Sequence, residues 1–128
     1  MSGKDKPILV ADDDKKVRSV LEGLLGFRGY KVSLHPNGLY LLETYLKEPD
    51  NVGLVMTDIK MPKVDGITDG ITLGKNLRQN GYAGGILFMS GKPEYGEMIL
   101  QIPEPRAFLE KPFGMQETLK AVERMYNG

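Results

Sequence analysis

The sequence predicts an α/β domain, an open and doubly wound parallel sheet of five strands with helices on both faces. Two observations predict it. Short apolar runs stop at polar residues four times: Ile8–Ala11 before Asp12 and Asp13, Val52–Thr57 before Asp58, Ile86–Met89 before Ser90, and Ala107–Glu110 before Lys111. Between these runs lie segments with helical spacing, and strand and helix signals alternating along a whole chain mark βα units around a parallel sheet. The 128 residues carry no internal repeat, linker or low-complexity stretch. They fit one domain, residues 1–128 with its core at about 7–126, long enough to bury a single hydrophobic centre.

The elements follow in order. After the first strand, Asp14 is placed to cap a helix, and Val17, Val20, Leu21, Leu24 and Leu25 follow the spacing of an amphipathic face. Gly29 ends that helix. Lys31–Leu34 reads as a short second strand, and Pro36-Asn37-Gly38 as a turn. Leu39, Leu42 and Leu46 mark one face of the second helix. The third strand covers about Val52–Thr57. A loop rich in Pro, Lys, Asp and Gly then runs to about Gly70, and the third helix continues to Asn80 with Ile71 and Leu77 inward. The fourth strand is Ile86–Met89. Pro103 and Pro105 cut short any helix in Pro93–Pro105, because proline lacks the backbone donor. The fifth strand, Ala107–Glu110, leads to a last helix over about Met115–Tyr126, with Leu119, Val122 and Met125 inward.

Composition excludes several functions. Lys+Arg and Asp+Glu are 17 each, so no net charge draws the chain to nucleic acid or an anionic membrane. There is no cysteine, which removes disulfides and thiolate metal sites. Residues 1–7 contain no apolar segment of a signal peptide, and no apolar run approaches the roughly 20 residues needed to cross a bilayer. A cytoplasmic location is the expectation. His35, with no Asp or Cys near it in sequence, reads as structural or solvent-facing. The seven Met residues read as core filler. Lys15, Lys16 and Arg18 read as a solvated helix face.

Right-handed crossovers leave few arrangements for such a chain. The order 2-1-3-4-5 sets strands 1 and 3 side by side, so Asp12 and Asp13 meet Asp58, and Ser90 and Lys111 join them on the carboxyl edge where ligands bind in such sheets. Three carboxylates so close repel one another, a conflict that Mg²⁺ removes, since it takes oxygen ligands and few protein carboxylates. Asp13 and Asp58 suit direct ligation, Asp12 directly or through water, and the backbone carbonyl of Lys60 is the candidate for a further ligand. A carboxylate is also a competent nucleophile toward a phosphoryl group. The metal, the Lys111 ammonium and the Ser90 hydroxyl can each hold one phosphoryl oxygen.

The strings ILVADDD at 8–14, MTDIKMPKVDG at 56–66, FMSGK at 88–92 and FLEKPF at 108–113 resemble the response-regulator receiver domain of two-component signalling. The resemblance covers roughly residues 7–126, and the set is highly specific. It implies a flavodoxin-like (βα)5 fold with Asp58 as phosphoacceptor. Asp12 and Asp13 become the acidic pair that holds Mg²⁺, with Mn²⁺ as a substitute, and Lys111 the phosphoryl-contacting lysine. Ser90 becomes the switch hydroxyl, Phe108 the switch aromatic, and Lys111-Pro112 a cis peptide bond. The implied donor is a sensor histidine kinase or a histidine phosphotransfer protein. Phosphorylation would switch the face made by helix 4, strand 5 and helix 5 toward a downstream protein, with the chain a monomer or a weak phosphorylation-linked dimer. It would not be a conventional enzyme: it would catalyse its own aspartyl phosphorylation and slow dephosphorylation.

Residues Ile67–Gly70 lengthen the loop after strand 3 beyond the family pattern, and the prolines interrupt helix 4, as in receivers attached to hybrid sensor kinases. Two alternatives use parts of the same set. A phosphohydrolase of the haloacid dehalogenase type would use Asp12 and Asp14 on strand 1, and phosphate would land on Asp12. A pseudo-receiver would bind partners without being phosphorylated, which the intact Asp58, Lys111 and acidic pair argue against.

Overall fold

A computed structural model describes residues 3–61, 66, 67, 69–111 and 114–126. Five strands, β1 (Ile8–Ala11), β2 (Val32–His35), β3 (Leu54–Asp58), β4 (Ile86–Ser90) and β5 (Arg106–Glu110), form one parallel sheet in the order β2-β1-β3-β4-β5. The register sets Ala11 opposite both His35 and Thr57, and Asp58 opposite Met89. Strands β1, β3 and β4 are buried along their whole length, as expected of central strands covered on both faces.

The crossovers are α1 (Lys15–Phe27), α2 (Gly38–Lys47), α3 (Gly70–Gln79) and α4 (Met115–Met125), with a 3₁₀ segment at Pro93–Gln101 between β4 and β5. Side chains cap three helices: Asp14 accepts from the Lys16 N–H, Asn37 from Tyr40, and Asp69 from Thr72. Gly29, at φ 87°, takes the left-handed conformation that turns the chain after α1. The fourth crossover is the weak element the prolines foretell, closed by Ile102 donating to Ile99. The cis bond expected at Lys111-Pro112 falls on Pro112, outside the described residues; Glu104-Pro105 is cis.

Two apolar layers flank the sheet. Leu9, Val55, Leu73, Leu77 and Phe88 belong to the layer under α2, α3 and the 3₁₀ segment. Val10, Leu21, Leu25, Met56 and Val122 belong to the layer under α1 and α4. Two positions of the expected apolar faces point outward. Val20 is 59% exposed and Leu46 50% exposed. At about 100° per residue, Val20 lies roughly 120° from the centre of the Leu21/Leu25 face, and Leu46 roughly 90° from that of Leu41/Leu42/Tyr45. Met56 and Met89 are core filler as read, whereas Met115 faces solvent.

Candidate functional site

Each site residue stands where a strand stops. Asp12 follows β1 and still donates its N–H to His35 O in β2 at 3.1 Å. Asp58 is the last residue of β3 and Ser90 the last of β4. Lys111 follows β5, its N–H held by Ser90 O at 2.8 Å. Oxygens of Asp12, Asp13 and Asp58 lie within 4.8 Å of one another. Lys111 Nζ donates to Asp12 Oδ2 at 2.8 Å and lies 3.6 Å from Asp58 Oδ2, an ion pair longer than a hydrogen bond. The sheet order thus brings together residues a hundred positions apart.

Asp12 is fully buried, and both its carboxylate oxygens are engaged, Oδ1 by the Asp14 N–H at 2.9 Å and Oδ2 by Lys111. Asp13 is exposed. Asp58 is 8% exposed, and its carboxyl is pushed up from 3.8 to about 6. Burial is the largest cause; Lys111 opposes it, and the charges of Asp12 and Asp13 add to it. The Lys111 ammonium is held above its ordinary range: burial works against it, but the Asp12 bond and the two carboxylate charges outweigh burial. Among the described residues, Lys111 pairs with two of the three clustered carboxylates, and a negative surplus remains. Such an oxygen-only, over-negative donor set fits a hard divalent cation.

The other expected residues divide. Ser90 is buried, and its hydroxyl accepts from the Lys92 N–H at 3.1 Å. Phe108 is half-buried, its ring packed beside Gly96 of the 3₁₀ segment. The Lys60 residue, next but one after Asp58, is exposed. Of the lengthened loop, Ile67 is buried against Gly38, and Asp69 caps α3. His35 is buried, which lowers its pKa, and it shares a hydrogen bond with Ser33 Oγ at 3.0 Å; this is the structural role expected of it.

Two residues escaped the sequence reading. Gly70 approaches the end of β3 so closely that any Cβ would collide with the Asp58 carbonyl oxygen, while its N–H donates to Ile59 O at 2.7 Å. Its place directly after a capping Asp was the available signal, but only packing reveals the contact. Arg18 is corrected outright. Lys15 and Lys16 are exposed as read, but Arg18 is half-buried and donates from Nη1 to the Asp12 backbone oxygen at 2.7 Å.

Comparison with known proteins agrees with this geometry. Residues 8–123 match the family described as response regulator receiver domain. The response regulator MprA of Mycolicibacterium vanbaalenii is 33% identical over 113 residues, covering 88% of this chain and 46% of that protein. MprA of Mycobacterium leprae is 29% identical over 119 residues, covering 92% and 50%. The chain thus spans about half the length of the curated relatives it matches. Among solved structures, the receiver domain of the hybrid histidine kinase CckA aligns with a TM-score of 0.77 and 28% identity, over 93% of this chain and 97% of that one. The response regulator TrrA of Thermotoga maritima, solved in complex with Mg(2+)-BeF, shares the fold with a TM-score of 0.80 and 24% identity, over 94% and 98%. Among the described residues, no helix is long and apolar enough to cross a membrane. Two apolar layers on a 2-1-3-4-5 sheet, an acidic cluster closed by a lysine, and the match over nearly the whole chain lead to one assignment: this chain belongs to the response-regulator receiver family.

Proposed function

We propose that Asp58 accepts a phosphoryl group from a histidine kinase or a histidine phosphotransfer protein in a magnesium-dependent relay. The observation that carries this reading is the Lys111 ammonium set between Asp12 and Asp58 beside a third carboxylate. Asp13 and Asp58 would hold the cation directly, Asp12 through water because its oxygens are already engaged, and the Lys60 carbonyl would add a ligand; Mg²⁺ is the expected ion and Mn²⁺ a substitute. A cation held there would supply neutralising charge for the carboxylates and for the phosphoryl oxygens.

The chain's own residues do the rest. An Asp58 oxygen attacks phosphorus in line with the donor's P–N bond. That bond breaks, and its electron pair returns to the donor imidazole, leaving an acyl phosphate. Lys111 stays on the charge that the transferring oxygens carry. The Ser90 hydroxyl, which accepts from the Lys92 N–H, would donate its own proton to a phosphoryl oxygen. Phe108, packed beside Gly96, would then move inward and reshape the face of the 3₁₀ segment, β5 and α4 for a downstream protein. This is a local charge change biasing a two-state element. A cytoplasmic location and a monomeric or weakly dimeric, phosphorylation-linked state belong to the same reading. The buried and doubly bonded Asp12 carboxylate is a poor nucleophile, which counts against the dehalogenase-type alternative.

Incubation with a small phosphodonor and Mg²⁺, followed by intact mass measurement, tests the reading. The parent should gain one phosphoryl group and Asp58→Asn none. An unmodified parent favours the pseudo-receiver, and equal gain in both proteins removes Asp58 as acceptor.

A further inference from the structure

We propose that Arg18 is a positioning residue of the acidic site, setting the direction of Asp13, and so the affinity for a divalent cation, through the Asp12 carbonyl. The inference rests on the cation-binding reading above. It starts from the four polar groups of Asp12. Its N–H is held by β2, Oδ1 by the Asp14 N–H and Oδ2 by Lys111. Its carbonyl is held by the Arg18 guanidinium at 2.7 Å, reaching back six residues from α1.

That carbonyl belongs to the peptide joining Asp12 to Asp13. The peptide is planar and rigid, so fixing its oxygen fixes the plane from which Asp13 departs. Asp12 is anchored at every other group, whereas Asp13 is exposed. The peptide plane is therefore the handle by which the protein can aim the Asp13 carboxylate at the space it shares with Asp58. A guanidinium suits the task, because it keeps its proton at any working pH and offers a fixed donor fork. A bond between a charged donor and a carbonyl is also stronger than a neutral one.

Charge alone predicts the opposite outcome. Arg18 is a cation near a cation site, so removing it should tighten divalent binding if its field is all that matters. Removing a positioning partner should weaken binding, as loss of groups that orient metal ligands typically costs about 10–100-fold in affinity. The sign of the change separates the two.

The experiment is a Mg²⁺ titration of the whole chain, followed by the NMR amide signals of residues 12–14 and 58, on the parent, Arg18→Met and Arg18→Lys. Arg18→Met keeps an apolar stem without donor or charge, and about tenfold weaker binding is expected. Arg18→Lys, which keeps the charge and a donor nitrogen but loses the planar fork, should recover part of the loss. Equal or tighter binding by Arg18→Met overturns the inference. If Arg18→Met does not fold by urea titration, Arg18→Gln is read by the same criterion. A parent that binds no Mg²⁺ removes the cation site itself and this inference with it, whereas a parent that binds and an Arg18→Met that binds as well removes Arg18 alone.

Discussion

The two edges of the sheet handle charge in opposite ways. At the edge where strands begin, Arg78 donates to four backbone oxygens: Pro103, Tyr82, Gly84 and Pro105, at 2.8–3.1 Å. Phenols do similar work there, with Tyr82 bonded to Gly85 O, Tyr45 to Asn80 O and Tyr126 to Lys6 O. Every such group meets a neutral partner. At the edge where strands end, one ammonium lies between two of three clustered carboxylates, and burial, with the charges of Asp12 and Asp13 added, raises the Asp58 pKa. The first edge is built for stability. The second is left electrostatically unfinished, as binding sites commonly are.

That difference can be broken by substitution. The largest effect is expected from Lys111→Met, which strands the buried Asp12 carboxylate without its partner. Breaking a buried pair costs about 3–5 kcal/mol, and a urea midpoint in the metal-free protein should fall accordingly, with part of the loss returned by Mg²⁺. Next comes Arg78→Ala at the opposite edge, expected to cost about 2–3 kcal/mol from lost charge-assisted bonds while phosphoryl uptake per folded molecule stays unchanged. Added Mg²⁺ should do no more for this variant than for the parent. If it rescues both variants equally, the edges are not distinct.

Asp13→Asn should have the opposite sign. It removes one of the charges that repel Asp58, so the metal-free protein should gain about 1 kcal/mol of stability while losing cation affinity, the usual exchange at a functional site. A variant less stable than the parent would show that repulsion is not what the cluster stores. The same cluster also predicts a pH dependence. Folding raises the Asp58 pKa from 3.8 to about 6, so across that window the native state keeps a proton the unfolded chain has released. This group's contribution to metal-free stability is therefore full below the ordinary value and lost as pH rises to about 6. Carboxyl-carbon NMR of Asp58 should titrate near 6 without metal and lower with Mg²⁺; a midpoint at the ordinary 3.8 without metal would contradict the burial and repulsion that raise it.

Much of this molecule is written in its local sequence. Apolar runs ending in Asp12, Asp58, Ser90 and Lys111 located four strands to within a residue or two, because a buried strand needs a continuous apolar stretch and its carboxyl end is where polar side chains emerge. The second strand starts one residue later than expected, at Val32, since an edge strand alternates and its limits depend on its neighbour. Val20 and Leu46 were misassigned for a related reason. Spacing gives the period of a helix but not which part of an apolar arc meets the sheet.

What the sequence determined by itself was the alternation of elements, hence the sheet order, and the list of charged groups at its carboxyl edge. Tertiary structure alone decided how those groups divide the work. It buried Asp12 and left Asp13 in solvent, placed one ammonium between two carboxylates, pressed Gly70 against the Asp58 backbone, and turned Arg18 inward to a carbonyl six residues behind it. Periodicity and composition are properties of neighbours along the chain. Desolvation, shared hydrogen bonds and steric contact are properties of neighbours in space, and these exist only once the sheet has closed.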